Sequence, residues 1–283
     1  MTWIEVKALF ETAPLDWSLY IDVFDRHGCE NTLQEDNPPS LSSAVVDVHG
    51  SGEVIAALRE DLLKHGATSV EVRSLVDENW EENWKRYFHP RPIGNRFLVR
   101  PTWEEAPSSG RLEIVLDPGQ AFGTGDHPTT RMCLELMEAV DMTGAAVADV
   151  GCGSGILSIG ACLLGAGSVH AVDIEPLSVE VAKENAALNN VAFEAIAGRG
   201  IAALADRGPF DVVISNIISA VLIQIAPEVA EATKPGGNWI VSGIITQNWP
   251  DVRTAAEREG FDLADSSEED GWVSASFKYC STM

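Results

Sequence analysis

The chain has 283 residues, too many for one average domain and enough for two, the larger able to bury a substantial core. Its 43 acidic residues against 19 basic ones leave a formal net charge of −24, which argues against direct binding to a nucleic acid backbone and favours a basic partner. Five scattered cysteines (Cys29, Cys133, Cys152, Cys162, Cys280) are not spaced as metal ligands and indicate a reducing compartment. No leader or span-length apolar run is evident, so a cytoplasmic protein without metal or membrane contact is expected.

The first part of the chain alternates short apolar runs with helical patterns. Trp3 to Phe10 reads as a strand, Pro14 to His27 as a helix, and the stretches around Glu30 to Glu35 and Ser43 to Val48 as strands. Glu53 to His65 has helical period, and Thr68 to Arg73 alternates again. That β-α-β-β-α-β order predicts a small ferredoxin-like plait over residues 1–76. Residues 77–92 follow as a linker, with Trp80, Trp84 and Phe88 on one face of a helix.

The remainder, 93–283, alternates strand and helix regularly, as a doubly wound and mostly parallel sheet does. Strands at Phe97 to Pro101 and Leu112 to Leu116 lead through a glycine-rich segment to a helix from Pro128 to about Val140, capped by Asp126 or His127. At its centre stands Asp149-Val-Gly-Cys-Gly-Ser-Gly155, between the apolar run Ala145 to Ala148 and the helical run Ile156 to Leu164. Gly151, Gly153 and Gly155 permit a tight turn on which a nucleotide-like ligand can lie against helix N–H groups. A dinucleotide fingerprint needs a small residue where this chain has Ile156, so S-adenosylmethionine is favoured over NAD. Asp173, 18 residues after Gly155 at the end of the next apolar run, suits the two ribose hydroxyls. A later strand, Phe210 to Ser215, ends at Asn216. Two closing strands, Phe261 to Ser266 and Trp272 to Lys278, fit a class I methyltransferase better than a dehydrogenase.

Three segments carry a more specific likeness: Asp117-Pro-Gly-Gln-Ala-Phe-Gly-Thr-Gly-Asp-His-Pro-Thr-Thr130, Asn79-Trp-Glu-Glu-Asn-Trp-Lys85, and Ile93 to Trp103. With the generic glycine motif they resemble the bacterial methyltransferases of large-subunit ribosomal protein eleven, over nearly the whole chain. The resemblance implies methyl transfer from S-adenosylmethionine to lysine side chains and the N-terminal amine of that basic protein, gripped by the N-terminal plait. It implies that Gly151, Gly153 and Gly155 lie against the cofactor, that Asp173 holds its ribose, and that Phe122, Gly123, Thr124 and His127 sit in a loop over it. Thr130, Asp149 and Ile174 are counted with the cofactor-binding residues, and Asn216 with both these and the catalytic role of positioning the nitrogen. A monomer without direct nucleic acid contact is expected.

Two departures stand out. The family's loop usually reads Gly-Thr-Gly-Thr-His, whereas Asp126 replaces the second Thr, and Ala197-Gly-Arg-Gly200 lacks an acidic adenine contact. Rival readings are a lysine methyltransferase of another protein, such as an electron-transfer flavoprotein subunit, a small-molecule methyltransferase, and a non-catalytic adenosylmethionine-binding module.

Overall fold

Alternating side chains give Trp3–Leu9 (β1) one buried face, on which Val6 and Ala8 are wholly shielded. The computed structural model describes residues 3–14, 17–27, 29, 32–36, 38–46, 51–75, 89–105, 110–117, 125 and 127–280. It divides the chain into two units, Met1–Tyr87 and Phe88–Met283.

In the first unit β1 is followed by Ser18–Arg26 (α1), Leu33–Asp36 (β2), Pro39–Val46 (β3), Ser51–Lys64 (α2) and Ser69–Leu75 (β4). The sheet order is β2-β3-β1-β4 with every neighbouring pair antiparallel, which is the plait expected from the sequence. Its core joins Val6, Phe24, Leu41, Leu58 and Leu62. β3 begins before the expected Ser43 because Ser40 and Ser42, which resemble turn residues, are buried in the ladder.

The second unit opens with Arg91–Ile93 (β5), Phe97–Arg100 (β6) and Leu112–Val115 (β7), a three-stranded sheet in which β6 runs antiparallel to β5 and parallel to β7. β5 falls where the linker was expected to end, and the expected helical face of Trp80, Trp84 and Phe88 lies outside the described residues. Then come Pro128–Glu138 (α3), Ala146–Val150 (β8), Ile156–Leu163 (α4), Ser168–Asp173 (β9), Pro176–Leu188 (α5) and Glu194–Ala197 (β10). The chain closes with Phe210–Asn216 (β11), Ser219–Ala232 (α6), Thr233–Ile245 (β12), Trp249–Arg258 (α7), Phe261–Glu269 (β13) and Trp272–Tyr279 (β14).

These form a seven-stranded sheet of order β10-β9-β8-β11-β12-β14-β13, parallel except for β14, which is antiparallel to both its neighbours. This is the class I methyltransferase arrangement. After β8 the chain moves outward through β9 and β10, then returns to the other side of β8 as β11. That reversal opens a crevice at the carboxyl ends of β8, β9 and β11. β8 is buried from Val147 to Val150, as a strand covered on both faces must be.

Polar side chains tie the elements of this unit to one another. Asp211 accepts from the Ala146 amide and from Lys234 Nζ, each at 2.8 Å, tying the start of β8 to β11 and β12. At the end of α5, Asn189 acts as a strand neighbour to β7: its Oδ1 accepts from Val115 N at 2.7 Å and its Nδ2 donates to Val115 O at 2.8 Å. Asn189→Ala leaves both Val115 groups without these partners, an expected cost of about 1–3 kcal/mol. Thermal denaturation should show a fall of several degrees, and an unchanged midpoint would refute the clasp.

Candidate functional site

The turn after β8 is built from three left-handed glycines, with φ of 81° at Gly151, 51° at Gly153 and 79° at Gly155. The Gly151 and Cys152 amides donate to Val172 O at 2.8 and 3.2 Å, which hangs the turn on β9. The Gly153 amide donates to Asp173 Oδ2 at 2.9 Å. Asn185, on α5, donates to the Ser154 carbonyl at 2.8 Å and itself accepts at its own carbonyl from Asn189 at 2.8 Å. One helix thus holds both the glycine turn and the end of β7.

The glycines also have packing duties that their spacing does not reveal. A β-carbon on Gly155 would lie 3.0 Å from that of Ala182 and 3.2 Å from the Phe193 ring, so the turn and α5 meet without room for a side chain. A β-carbon on Gly151 would lie 2.3 Å from Ile217 Cγ2, and one on Gly243 2.5 Å from the Ile217 carbonyl oxygen. Both glycines have positive φ, so any substitution there meets strain as well as a clash. Ile217, whose amide donates to Ser242 O at 3.1 Å, is thereby wedged against the turn and β12.

That wedge sets Asn216 at the mouth of the crevice, half-buried at the end of β11. Its Nδ2 donates to Thr130 Oγ1 at 3.4 Å. The first turn of α3 crosses the sheet here: Ser242 Oγ donates to Thr129 O at 3.1 Å, and Arg131 pairs with Glu269. His127 is the N-cap, with Nδ1 accepting from Thr129 N at 3.4 Å, and its ring meets Trp272 edge-on at 4.9 Å. Pro128 occupies the first turn as expected.

Asp173, half-buried, spends one lone pair of Oδ2 on Gly153 and one of Oδ1 on the Glu175 amide at 3.0 Å. A carboxylate accepts about four hydrogen bonds, so two positions remain for ribose hydroxyls. Beside it Ile174 is 67% exposed, and across the crevice Ile218 is 66% exposed. No other described large hydrophobic side chain of this unit is as open. Two bare apolar side chains flanking a crevice suit a ligand with flat or aliphatic parts. Ile218, Asn185 and Asn189 were missed by sequence reasoning. The i,i+4 asparagine pair at the end of the helical run was the available signal, and Ile218 gave none. Phe122, Gly123, Thr124 and Asp126 lie outside the described residues.

Asp149 is wholly buried. Its Oδ2 accepts from Ser158 Oγ at 2.6 Å, while Oδ1 has no hydrogen-bond partner among the described residues. Burial pushes this carboxyl up to about 6 in spite of the Ser158 bond, and Asp173 adds to the rise. An orphaned acceptor beneath the turn, an open ribose acceptor and bare apolar walls fit S-adenosylmethionine, which carries an ammonium, ribose hydroxyls and an adenine ring. Burial, then the charges of Asp149 and Asp173, push the Cys152 thiol well up. It stays protonated, which keeps a competing thiolate away from a methyl donor.

Because the folded carboxyl of Asp149 titrates near 6 and an unfolded one near about 3.9, the folded chain holds the extra proton between those values. Stability from this residue therefore falls as pH rises through that window. Asp149→Asn imitates the protonated form, so its melting temperature relative to wild type should be highest near neutrality and converge on wild type as pH falls toward 4. A pH-independent difference would show that Asp149 does not titrate in this way.

Comparison with known proteins shows the family to which the chain belongs. The family model described as Ribosomal protein L11 methyltransferase (PrmA) matches residues 22–279. The ribosomal protein L11 methyltransferase of Caldanaerobacter subterraneus subsp. tengcongensis is 42% identical over 282 residues, covering 97% of this chain and 87% of its own. Its namesake from Bacillus cereus is 36% identical over 251 residues, covering 88% and 80%. The crystal structure of ribosomal protein L11 methylase from Lactobacillus delbrueckii subsp. bulgaricus superposes with a TM-score of 0.64 at 31% identity, covering 69% of this chain and all of that one. This chain is an S-adenosylmethionine-dependent methyltransferase, and it belongs to the ribosomal protein L11 methyltransferase family.

Proposed function

We propose that this enzyme methylates amino groups of ribosomal protein L11, both lysine side chains and the N-terminal amine, and that Asn216 aligns the accepting nitrogen. The observation that carries the reading is the placement of Asn216 at the crevice mouth, wedged by Ile217 against the glycine turn. Bound S-adenosylmethionine supplies a methyl group activated on a sulfonium. In-line displacement needs no covalent enzyme intermediate, so what the chain contributes is mainly orientation.

The amine must reach the site neutral. A free lysine has a pKa of about 10.4, so desolvation between Ile218 and the crevice wall, with hydrogen bonding to acceptors, has to favour the uncharged form. Asn216 Oδ1 accepts an N–H of that amine and turns its lone pair toward the methyl. As an amide it is no base, and the proton departs to solvent before transfer.

Substrate choice follows charge. The chain is strongly acidic, and residues 1–90 alone carry 17 acids against 7 bases, which suits a basic ribosomal protein and disfavours nucleic acid. In this reading the plait, residues 1–76, is the module that recognises the protein substrate, the enzyme works as a monomer in the cytoplasm, and its partner is the L11 protein itself.

Two measurements test the reading. Asn216→Ala should lower the transfer rate by on the order of tens to thousands, with S-adenosylmethionine affinity near wild type by calorimetry. A wild-type rate removes Asn216 from the mechanism. Added salt should raise KM for intact L11 while leaving cofactor affinity unchanged. Salt-independent capture of L11 would contradict the electrostatic account.

A further inference from the structure

We infer that the protein substrate docks on the plait as an added strand: an extended, basic segment pairs with the edge of β4 and sets alternate apolar side chains in the groove between β4 and α2. The inference deepens the reading above, in which the plait recognises ribosomal protein L11, and rests on it.

The groove has a volume of about 500 Å³ and is lined by Ile55, Ala56 and Leu63 of α2 and Val72 of β4, with Arg59 and Glu60 among its walls. At Gly52, also on the groove, a β-carbon would meet nothing within 4 Å, so the space continues to the start of the helix. Val70 and Val72 share one face of β4, yet Val70 is 7% exposed and Val72 43%. The helix covers the first and stops short of the second.

β4 is an edge strand, with β1 as its neighbour on one side and no strand on the other among the described residues. Edges are ordinarily blunted, because their unpaired N–H and C=O groups recruit other chains. The other edges of the described sheets follow that rule: β2, β7 and β10 have four residues each and β5 has three. The nine residues of β13 carry Asp262, Asp265, Glu268 and Glu269. By contrast β4 has seven residues in clean alternation, and its two charged side chains, Glu71 and Arg73, bond each other at 2.7 Å on the face away from the groove.

A strand laid beside β4, at about 4.8 Å, places every second side chain on the face of Val72. Those side chains meet the flank of α2 at Ala56 and Leu63, where the groove is open. Main-chain bonds then supply affinity, and the groove selects which side chains fit. Charge selects the segment: residues 1–90 hold 17 acids against 7 bases, which favours the approach of a basic polypeptide.

The test uses the full chain, S-adenosylmethionine and recombinant ribosomal protein L11. In amide hydrogen exchange on the wild-type chain, saturating L11 should slow alternate amides of residues 69–75, those turned away from β1, by about tenfold or more. Ala56→Trp fills the groove and should raise KM for L11 about 10- to 50-fold while kcat stays within about twofold. Ala57→Trp, at an exposed position of the same helix outside the groove, should leave KM near wild type.

Unchanged exchange over β4 in saturating L11 overturns the inference, and because it needs no variant it decides even if Ala56→Trp fails to fold. A wild-type KM in Ala56→Trp overturns it too, as does an equal rise in Ala57→Trp. A raised KM in Ala56→Trp without protection of β4 means a helix or another shape in the groove and refutes the added strand. If the wild-type chain does not methylate L11, the reading of the substrate fails and this inference with it; L11 methylated with β4 unprotected sinks only the docking mode.

Discussion

The placement of Ile217 against two glycines is the constraint on which the site depends. A β-carbon at Gly151 or Gly243 would occupy space that Ile217 already fills, so the β8 turn, the end of β11 and β12 approach one another only because both positions lack side chains. Close packing makes this an all-or-none arrangement, since interiors have little room to absorb even a methyl group. Asn216 inherits its position from that contact. The glycines of the turn thus serve the chain's own packing as well as any ligand laid against them.

Around this contact the buried polar side chains are, among the described residues, nearly all answered. Trp239, buried at the centre of the sheet, donates its indole N–H to Ser215 Oγ at 3.2 Å, and Thr233 Oγ1 donates to Val229 O at 2.6 Å. Asn185 and Asn189 answer the Ser154 and Val115 backbone groups. Against that background the unpartnered Oδ1 of Asp149 stands out, and it lies at the start of the glycine turn, where a departure from complete pairing is expected of a binding site. His127 combines two tasks in one ring, capping α3 and packing on Trp272, and this joins the helix start to the antiparallel strand that closes the sheet.

Much of the fold was legible because its signals are local. The β8 strand, glycine turn and α4 follow one another within 18 residues, Ala146 to Leu163, and the apolar runs are long enough to be read without neighbours. Other elements were hidden by composition. β12 begins at Thr233, and Lys234-Pro-Gly-Gly237 within it has the look of a turn; pairing of Thr233 with Phe210, followed by a register shift, carries the strand through it. β5 is three residues long and contains Pro92, too short and too irregular to be read before its pairing with β6 is known.

By itself the sequence determined the order of strands and helices, the glycine turn, the acidic residue at the end of β9 and the asparagine at the end of β11, because each is written in adjacent residues and local backbone preference. Only the tertiary structure decided that Ile217 wedges between Gly151 and Gly243, that Thr130 is buried against Asn216, that Asn185 and Asn189 tie one helix to the glycine turn and to β7, and that Ile174 and Ile218 stand bare on the crevice. Those contacts join residues 26 to 86 positions apart, and burial, clash and hydrogen-bond geometry come into being only when the sheet order brings such residues together.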